Sequence, residues 1–102
     1  MEVLKLLVET YAYKVPRIMA DRYLDIQRRT KDVYLRYGCI DYEVFKSDDD
    51  WCLEVCRFKD RKHYEDVMKS VDLDPEIELL WKEFCSIVDE EKVATKRSER
   101  IL

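Results

Sequence analysis

Hydrophobic and polar residues along this chain fall into a succession of spacings whose order is β-α-β-β-α-α-β. From Val3 to Tyr13 they alternate. Leu4, Leu6, Val8, Thr10 and Ala12 point one way, and Lys5, Leu7, Glu9, Tyr11 and Tyr13 the other, the two-residue period of a strand. Pro16 suits the first turn of a helix. Met19, Tyr23, Ile26, Thr30, Val33 and Tyr37 then step by threes and fours along one stripe. Gly38 can take the left-handed cap that ends such a helix. Cys39 to Lys46 and Trp51 to Phe58 read as a hairpin around Ser47-Asp48-Asp49-Asp50. Asp60 is placed to cap a second helix with the stripe Tyr64, Val67, Met68 and Val71. Asp74-Pro75-Glu76 opens a third, whose stripe is Ile77, Leu80, Trp81, Phe84, Cys85 and Val88. Val93 to Leu102 reads as a charged final strand, suited to a sheet edge.

This order predicts one α+β domain over residues 1–102, a four-stranded antiparallel sheet in the ferredoxin-like arrangement with helices on one face. Right-handed crossovers place the first strand beside the third. The row Ile40, Tyr42, Val44 with Trp51, Leu53, Val55 is the more apolar and is expected beneath the helices. The opposite rows carry Cys39, Asp41, Glu43, Phe45, Cys52, Glu54, Cys56 and Phe58, continued on the first strand by Glu9, Tyr11 and Tyr13. That surface is too aromatic for solvent and too acidic to bury unpaired. A homodimer joined through the open sheet faces resolves both, with Lys5 and Arg97 pairing the acids.

Composition narrows the function. Charged residues make up 41% and hydrophobic ones 47%, with no Asn and one Gln, a balance that fits a folded protein of a thermophile. The net charge of −4 offers no broad attraction to a phosphate backbone, and an acid stands at the centre of the strand where an RNA-binding sheet carries its aromatics. Nucleic-acid partners are therefore not expected. No stretch has the makings of a signal peptide or a membrane span, so a cytoplasmic location with no membrane partner is expected. One glycine excludes a phosphate-cradling loop.

The segment Leu53-Glu54-Val55-Cys56-Arg57-Phe58-Lys59-Asp60 leading into the second helix, and the extra helix from Asp74 with its Trp81, resemble the dimeric α+β barrel superfamily, which includes antibiotic biosynthesis monooxygenase-like proteins. The resemblance covers nearly the whole chain. It implies dimerisation by sheet packing, and binding of a small organic molecule or haem in a cleft between sheet and helices. Members that degrade haem or act as cofactor-free oxygenases use an Asn near the reaction, often with Trp and His. Trp81 and His63 are present here, but with no Asn that triad cannot be assembled.

The acids are the first chemical candidates. If Lys46 opposes Trp51, Glu43 faces Glu54 directly, and such a pair either shares a proton for acid–base work or pairs with interface cations. A two-residue slip would set Asp41 opposite Glu54 instead. It would also bring Cys39 opposite Cys56, where a disulfide becomes geometrically feasible. Cys52 and Cys56 lie roughly 13 Å apart on one strand, too far to share a metal, so no metal is expected. His63 is the sole histidine and the third catalytic candidate. Tyr11, Tyr13, Glu9, Phe45, Trp81 and Arg97 are the ligand-binding candidates. The leading reading is a small-molecule-binding protein for an apolar or aromatic compound, oxygenase-like or isomerase-like without a cofactor. The alternative is a dimeric module with no ligand.

Overall fold

The computed structural model describes residues 5–102. The Val3-Leu4 start of the expected first strand lies outside the described residues. The elements follow in the expected order: β1 (Leu7–Lys14), α1 (Ala20–Arg36, entered through a short 3-10 turn at Arg17–Met19), β2 (Asp41–Lys46), β3 (Trp51–Phe58), α2 (Arg61–Leu73), α3 (Pro75–Cys85), a 3-10 turn at Glu90–Lys92, and β4 (Ala94–Glu99). The strands form one antiparallel sheet in the order β2-β3-β1-β4. This is the ferredoxin-like α+β fold, with β1 beside β3.

Local chemistry sets the helix boundaries. Gly38 sits at φ 103°. Its N–H donates to Leu35 O, and the Cys39 N–H donates to Tyr34 O at 3.1 Å, which closes α1 with a Schellman motif. Asp60 caps α2 by accepting from the His63 N–H at 2.8 Å. Asp74 caps α3 by accepting from the Glu76 N–H at 2.8 Å, with Pro75 in the first turn. The three stripes then converge on the sheet. Tyr23, Ile26, Val33 and Tyr34 of α1, Val67 and Val71 of α2, and Leu80 and Phe84 of α3 are buried in one core with Leu7, Tyr13, Tyr42, Cys52, Cys56 and Phe58.

That list corrects the sequence-based assignment of faces. The hairpin pairs Lys46 with Cys52, Val44 with Glu54 and Tyr42 with Cys56, one residue away from the register that would oppose Glu43 to Glu54. Asp50 is the cause. It adopts φ 68°, and the Ser47 N–H donates to Trp51 O at 2.9 Å, so the loop between the paired residues Ser47 and Trp51 has an odd number of residues. A one-residue change of register exchanges the two sides of a strand. The row Cys52, Glu54, Cys56, Phe58 therefore shares its face with Tyr42 and Val44 and lies beneath the helices. It is joined there by Leu7, Glu9, Tyr11 and Tyr13 of β1, which pair opposite Phe58, Cys56, Glu54 and Cys52. The open face carries instead Val8, Thr10, Ala12, Glu43, Phe45, Trp51, Leu53, Val55 and Arg57.

The remaining expectations about pairing change with it. Glu43 is bonded by Arg57 Nε at 3.1 Å on the open face, away from Glu54. Arg97 lies on the helix side, opposite Glu9, and does not meet acids on the open face. Tyr42, in place of Cys39, opposes Cys56; all four cysteines are free, and the Cys39 thiol donates to the Asp41 and Arg57 carbonyls. No helix among the described residues is long and apolar enough to cross a membrane.

Candidate functional site beneath the helices

Placing an acid row under three helices obliges the fold to satisfy two buried carboxyls. Tyrosines do this. Glu54, 7% exposed, accepts the Tyr13 hydroxyl at 2.6 Å on Oε2 and the Tyr42 hydroxyl on Oε1. The Tyr13 hydroxyl also lies 2.5 Å from that of Tyr23, and the Tyr42 hydroxyl, which donates to Glu54, lies 2.6 Å from the Gln27 side-chain amide. Glu9, 2% exposed, accepts from Tyr11 on Oε1 and from Tyr64 at 2.7 Å on Oε2. The Arg97 guanidinium stands 3.6 Å from the same Oε2 and donates to the Tyr64 hydroxyl at 3.1 Å. Burial of a polar group is tolerated where its hydrogen bonds are made, and here they are.

The two acids are not equivalent. Glu9 has a cation, and among the described residues Glu54 has none. Burial raises the Glu54 carboxyl above its ordinary 4.5; the hydroxyls of Tyr13 and Tyr42 oppose that rise, and the charge of Glu9 adds to it. The tyrosines around it are pushed upward, first by burial and then by the adjacent charge: Tyr13 and Tyr42 beside Glu54, and Tyr11 beside Glu9. Those hydroxyls stay protonated and act as donors.

Above Glu54 the helices leave a cavity of about 270 Å³. Tyr11 and Glu54 form its floor with Thr95 of β4. Gln27, Thr30 and Tyr34 come from α1, and Ile77, Leu80, Trp81 and Phe84 from α3. Glu90 and Val93 complete it from the segment entering β4. Trp81 lies nearly parallel to Phe84, with 5.4 Å between ring centres and 19° between planes, and remains 50% exposed. Stacked but half open, it is a wall of the cavity and not part of the closed core. The site is thus an aromatic slot over a buried carboxyl whose pKa burial raises, an environment in which functional acid–base groups are found.

Of the residues singled out from sequence, Glu54, Tyr11 and Trp81 come together around this cavity. Glu9 and Tyr13 stand directly behind it, hydrogen-bonded to Tyr11 and to Glu54. Arg97 reaches the network through Glu9. Glu43 and Phe45 do not join; they lie on the open face and border other grooves beside α1. His63 does not join either. Its Nδ1 accepts the Lys59 N–H at 3.0 Å and its Nε2 faces Gly38, so it ties the start of α2 to the end of α1. It does not line the cavity, so the chain's sole histidine is not placed to ligate a haem there. Tyr34, expected in the core with a pocket between helices and sheet as the alternative, lines it, whereas Gln27, Thr30, Glu90 and Thr95 were not foreseen as lining. Gln27 had a readable signal, being the chain's sole Gln and four residues after Tyr23 on the buried stripe.

No family model matches this sequence, and no curated protein matches it significantly. The fold, however, is widely shared. A candidate antibiotic biosynthesis monooxygenase from Nitrosomonas europaea superposes with a TM-score of 0.71 at 12% identity, covering 98% of this chain and 92% of its own. A NIPSNAP family protein of unknown function from Agrobacterium tumefaciens gives a TM-score of 0.74 at 10% identity, with 97% and 91% covered. SnoaB, a cofactor-independent oxygenase from Streptomyces nogalater, gives 0.68 at 9% identity, with 95% and 92% covered. The resemblance to the antibiotic biosynthesis monooxygenase-like fold is thus present in the structure. At such identities the likeness concerns the fold, and the chemistry has to be argued from this chain's own side chains.

Proposed function

We propose that this chain binds a small apolar or aromatic molecule in the cavity formed by Tyr11, Glu54 and Trp81, and that Glu54 moves a proton to or from it without a cofactor. One observation carries this reading. A buried carboxyl with a raised pKa, which no ion pair reaches among the described residues, lines a cavity walled mainly by rings and aliphatic side chains, with Gln27, Thr30, Thr95 and Glu90 as its other polar groups. A carboxylate whose pKa burial raises is a stronger base than a solvated one, which suits it to general acid–base work. Abstraction of a proton from a phenolic hydroxyl or an activated C–H is the step it is suited to, and oxygenase-like and isomerase-like reactions both begin there. Tyr13 and Tyr42 hold the carboxyl in place, and Tyr11, whose hydroxyl donates to Glu9, presents its oxygen to the ligand as an acceptor. The likeness of fold to a cofactor-independent oxygenase is consistent with this reading.

The assembly belongs to the same proposal. Phe45, Trp51 and Leu53 are exposed around buried Val55 on the open face, an apolar patch that a second copy of the chain would cover. The cavity lies on the opposite side of the sheet, so a dimer through the open face leaves it accessible.

The test is a titration with a fused-ring phenol, naphthol, followed by Trp81 fluorescence in a Trp51→Phe background. Saturable quenching in this background, together with a proton-transfer activity that Glu54→Gln abolishes while binding persists, is the expected result. Absence of binding by a folded dimer would overturn the reading and leave an assembly module without a ligand.

A further inference from the structure

The charge distribution of the cavity narrows what it accepts. Two of its lining residues are acids, Glu54 on the floor and Glu90 at the 3-10 turn, and none is Lys, Arg or His. Its other polar groups, on Gln27, Thr30, Thr95 and the tyrosines, are neutral. The contrast between the two buried acids is sharper still. Glu9 and Glu54 lie on one face of adjacent strands and both accept two tyrosine hydroxyls. Glu9 also has Arg97 at 3.6 Å, whereas among the described residues no ion pair reaches Glu54. Arg97, two residues along β4 from Thr95, is already held by Glu9 and Tyr64 and is not a lining residue. The one buried acid without a cation is therefore the one that faces the cavity.

The rings complete the pattern. Tyr11, Tyr34, Trp81 and Phe84 surround the space above that carboxyl. Aromatic faces attract cations, Trp most strongly, and the attraction grows as water is excluded. A carboxylate among such faces is suited to an ammonium and repels a second anion.

We infer that the molecule this cavity takes carries a basic nitrogen: an arylalkylamine whose ring lies against Trp81 and whose ammonium meets Glu54. The inference rests on the cavity being the binding site, as proposed above, and adds the class of ligand. Bound there, the ammonium supplies to Glu54 the counter-charge that Arg97 supplies to Glu9.

Calorimetric titration of the intact protein with three compounds of one skeleton tests this: naphthylmethylamine, the neutral alcohol naphthylmethanol, and naphthoate. The amine should bind roughly tenfold tighter than the alcohol, the worth of one hydrogen bond to a charged group, and naphthoate more weakly than both. Glu54→Gln should remove most of the amine's advantage over the alcohol, leaving only the smaller part owed to the aromatic faces. Trp81→Ala, with its fold checked by circular dichroism, should weaken both amine and alcohol and so show that both occupy this cavity. Equal or tighter binding of the alcohol to the wild-type protein would overturn the inference and leave the binding-site reading standing. Failure of all three to bind would overturn both. A preference for the amine that survives Glu54→Gln undiminished would overturn the assignment of the ammonium to Glu54.

Discussion

Replacing Tyr13 by Phe isolates the hydroxyl that joins the buried carboxyl to its neighbours. The ring keeps its edge contacts, at 5.9 Å from Tyr23 and 5.0 Å from Phe84, so packing should survive. Two short bonds are lost, 2.6 Å to Glu54 and 2.5 Å to Tyr23. Glu54 keeps Tyr42 as a donor, while the Tyr23 hydroxyl loses its partner. A buried hydrogen bond between neutral groups contributes about 0.5–1.5 kcal/mol and one to a charged group about 1.5–3 kcal/mol, so the substitution should cost about 1.5–3 kcal/mol. Urea unfolding at fixed protein concentration measures it, as a shift of midpoint at unchanged slope. The same substitution in a Glu54→Leu background should cost less by about 1 kcal/mol, because the shared bond is already gone. A difference between the two backgrounds below about 0.3 kcal/mol would mean that the two side chains act independently, and the network described here would be refuted.

Three further outcomes are expected. Because burial raises the Glu54 carboxyl, the folded protein holds that proton more tightly than the unfolded chain; its contribution is complete below the ordinary 4.5 and is lost as pH rises through the folded value. The wild-type protein should therefore lose about 1.4 kcal/mol per pH unit relative to Glu54→Gln across that window, and parallel urea midpoints would contradict it. Gly38→Ala should destabilise by roughly 1–2 kcal/mol in thermal unfolding, since φ 103° disfavours any Cβ although His63 and Val67 leave ordinary contact distances of 3.6 and 3.8 Å; an unchanged Tm would contradict it. Leu53→Glu should convert a dimer to a monomer in sedimentation with unchanged circular dichroism, and a variant that still dimerises would remove the open face from the interface.

Local signals made the elements and their order readable. Asp60, Asp74-Pro75 and Gly38 each act within a turn of chain, and each does in the structure what its chemistry implies. Strand order followed from crossover handedness, which is equally general. The faces of β1 and β3 were not readable. They depend on whether the loop between β2 and β3 is odd or even, and that depends on Asp50 taking a positive φ, which Asp tolerates but does not announce. The acids compounded the error. A row of Glu9, Tyr11, Tyr13 beside Glu54 looks solvent- or partner-facing unless tyrosines from other elements cap each carboxyl, and Tyr42 and Tyr64 do so from positions far along the chain. Glu54, Tyr11 and Trp81 were legible as chemistry-bearing residues because rings and acids are conspicuous. Their meeting on the helix side, with Gln27 and Thr30, is a property of the tertiary fold.

The central claim is that Glu54 is held apart from the other carboxyls, buried and reluctant to ionise. Carbon-13 NMR of the glutamate side-chain carboxyls, with Glu54 assigned by its loss in Glu54→Gln, measures this directly. The Glu54 resonance should titrate above the 4.5 ordinary for a glutamate. A Glu54 resonance that titrates at or below that value would contradict it.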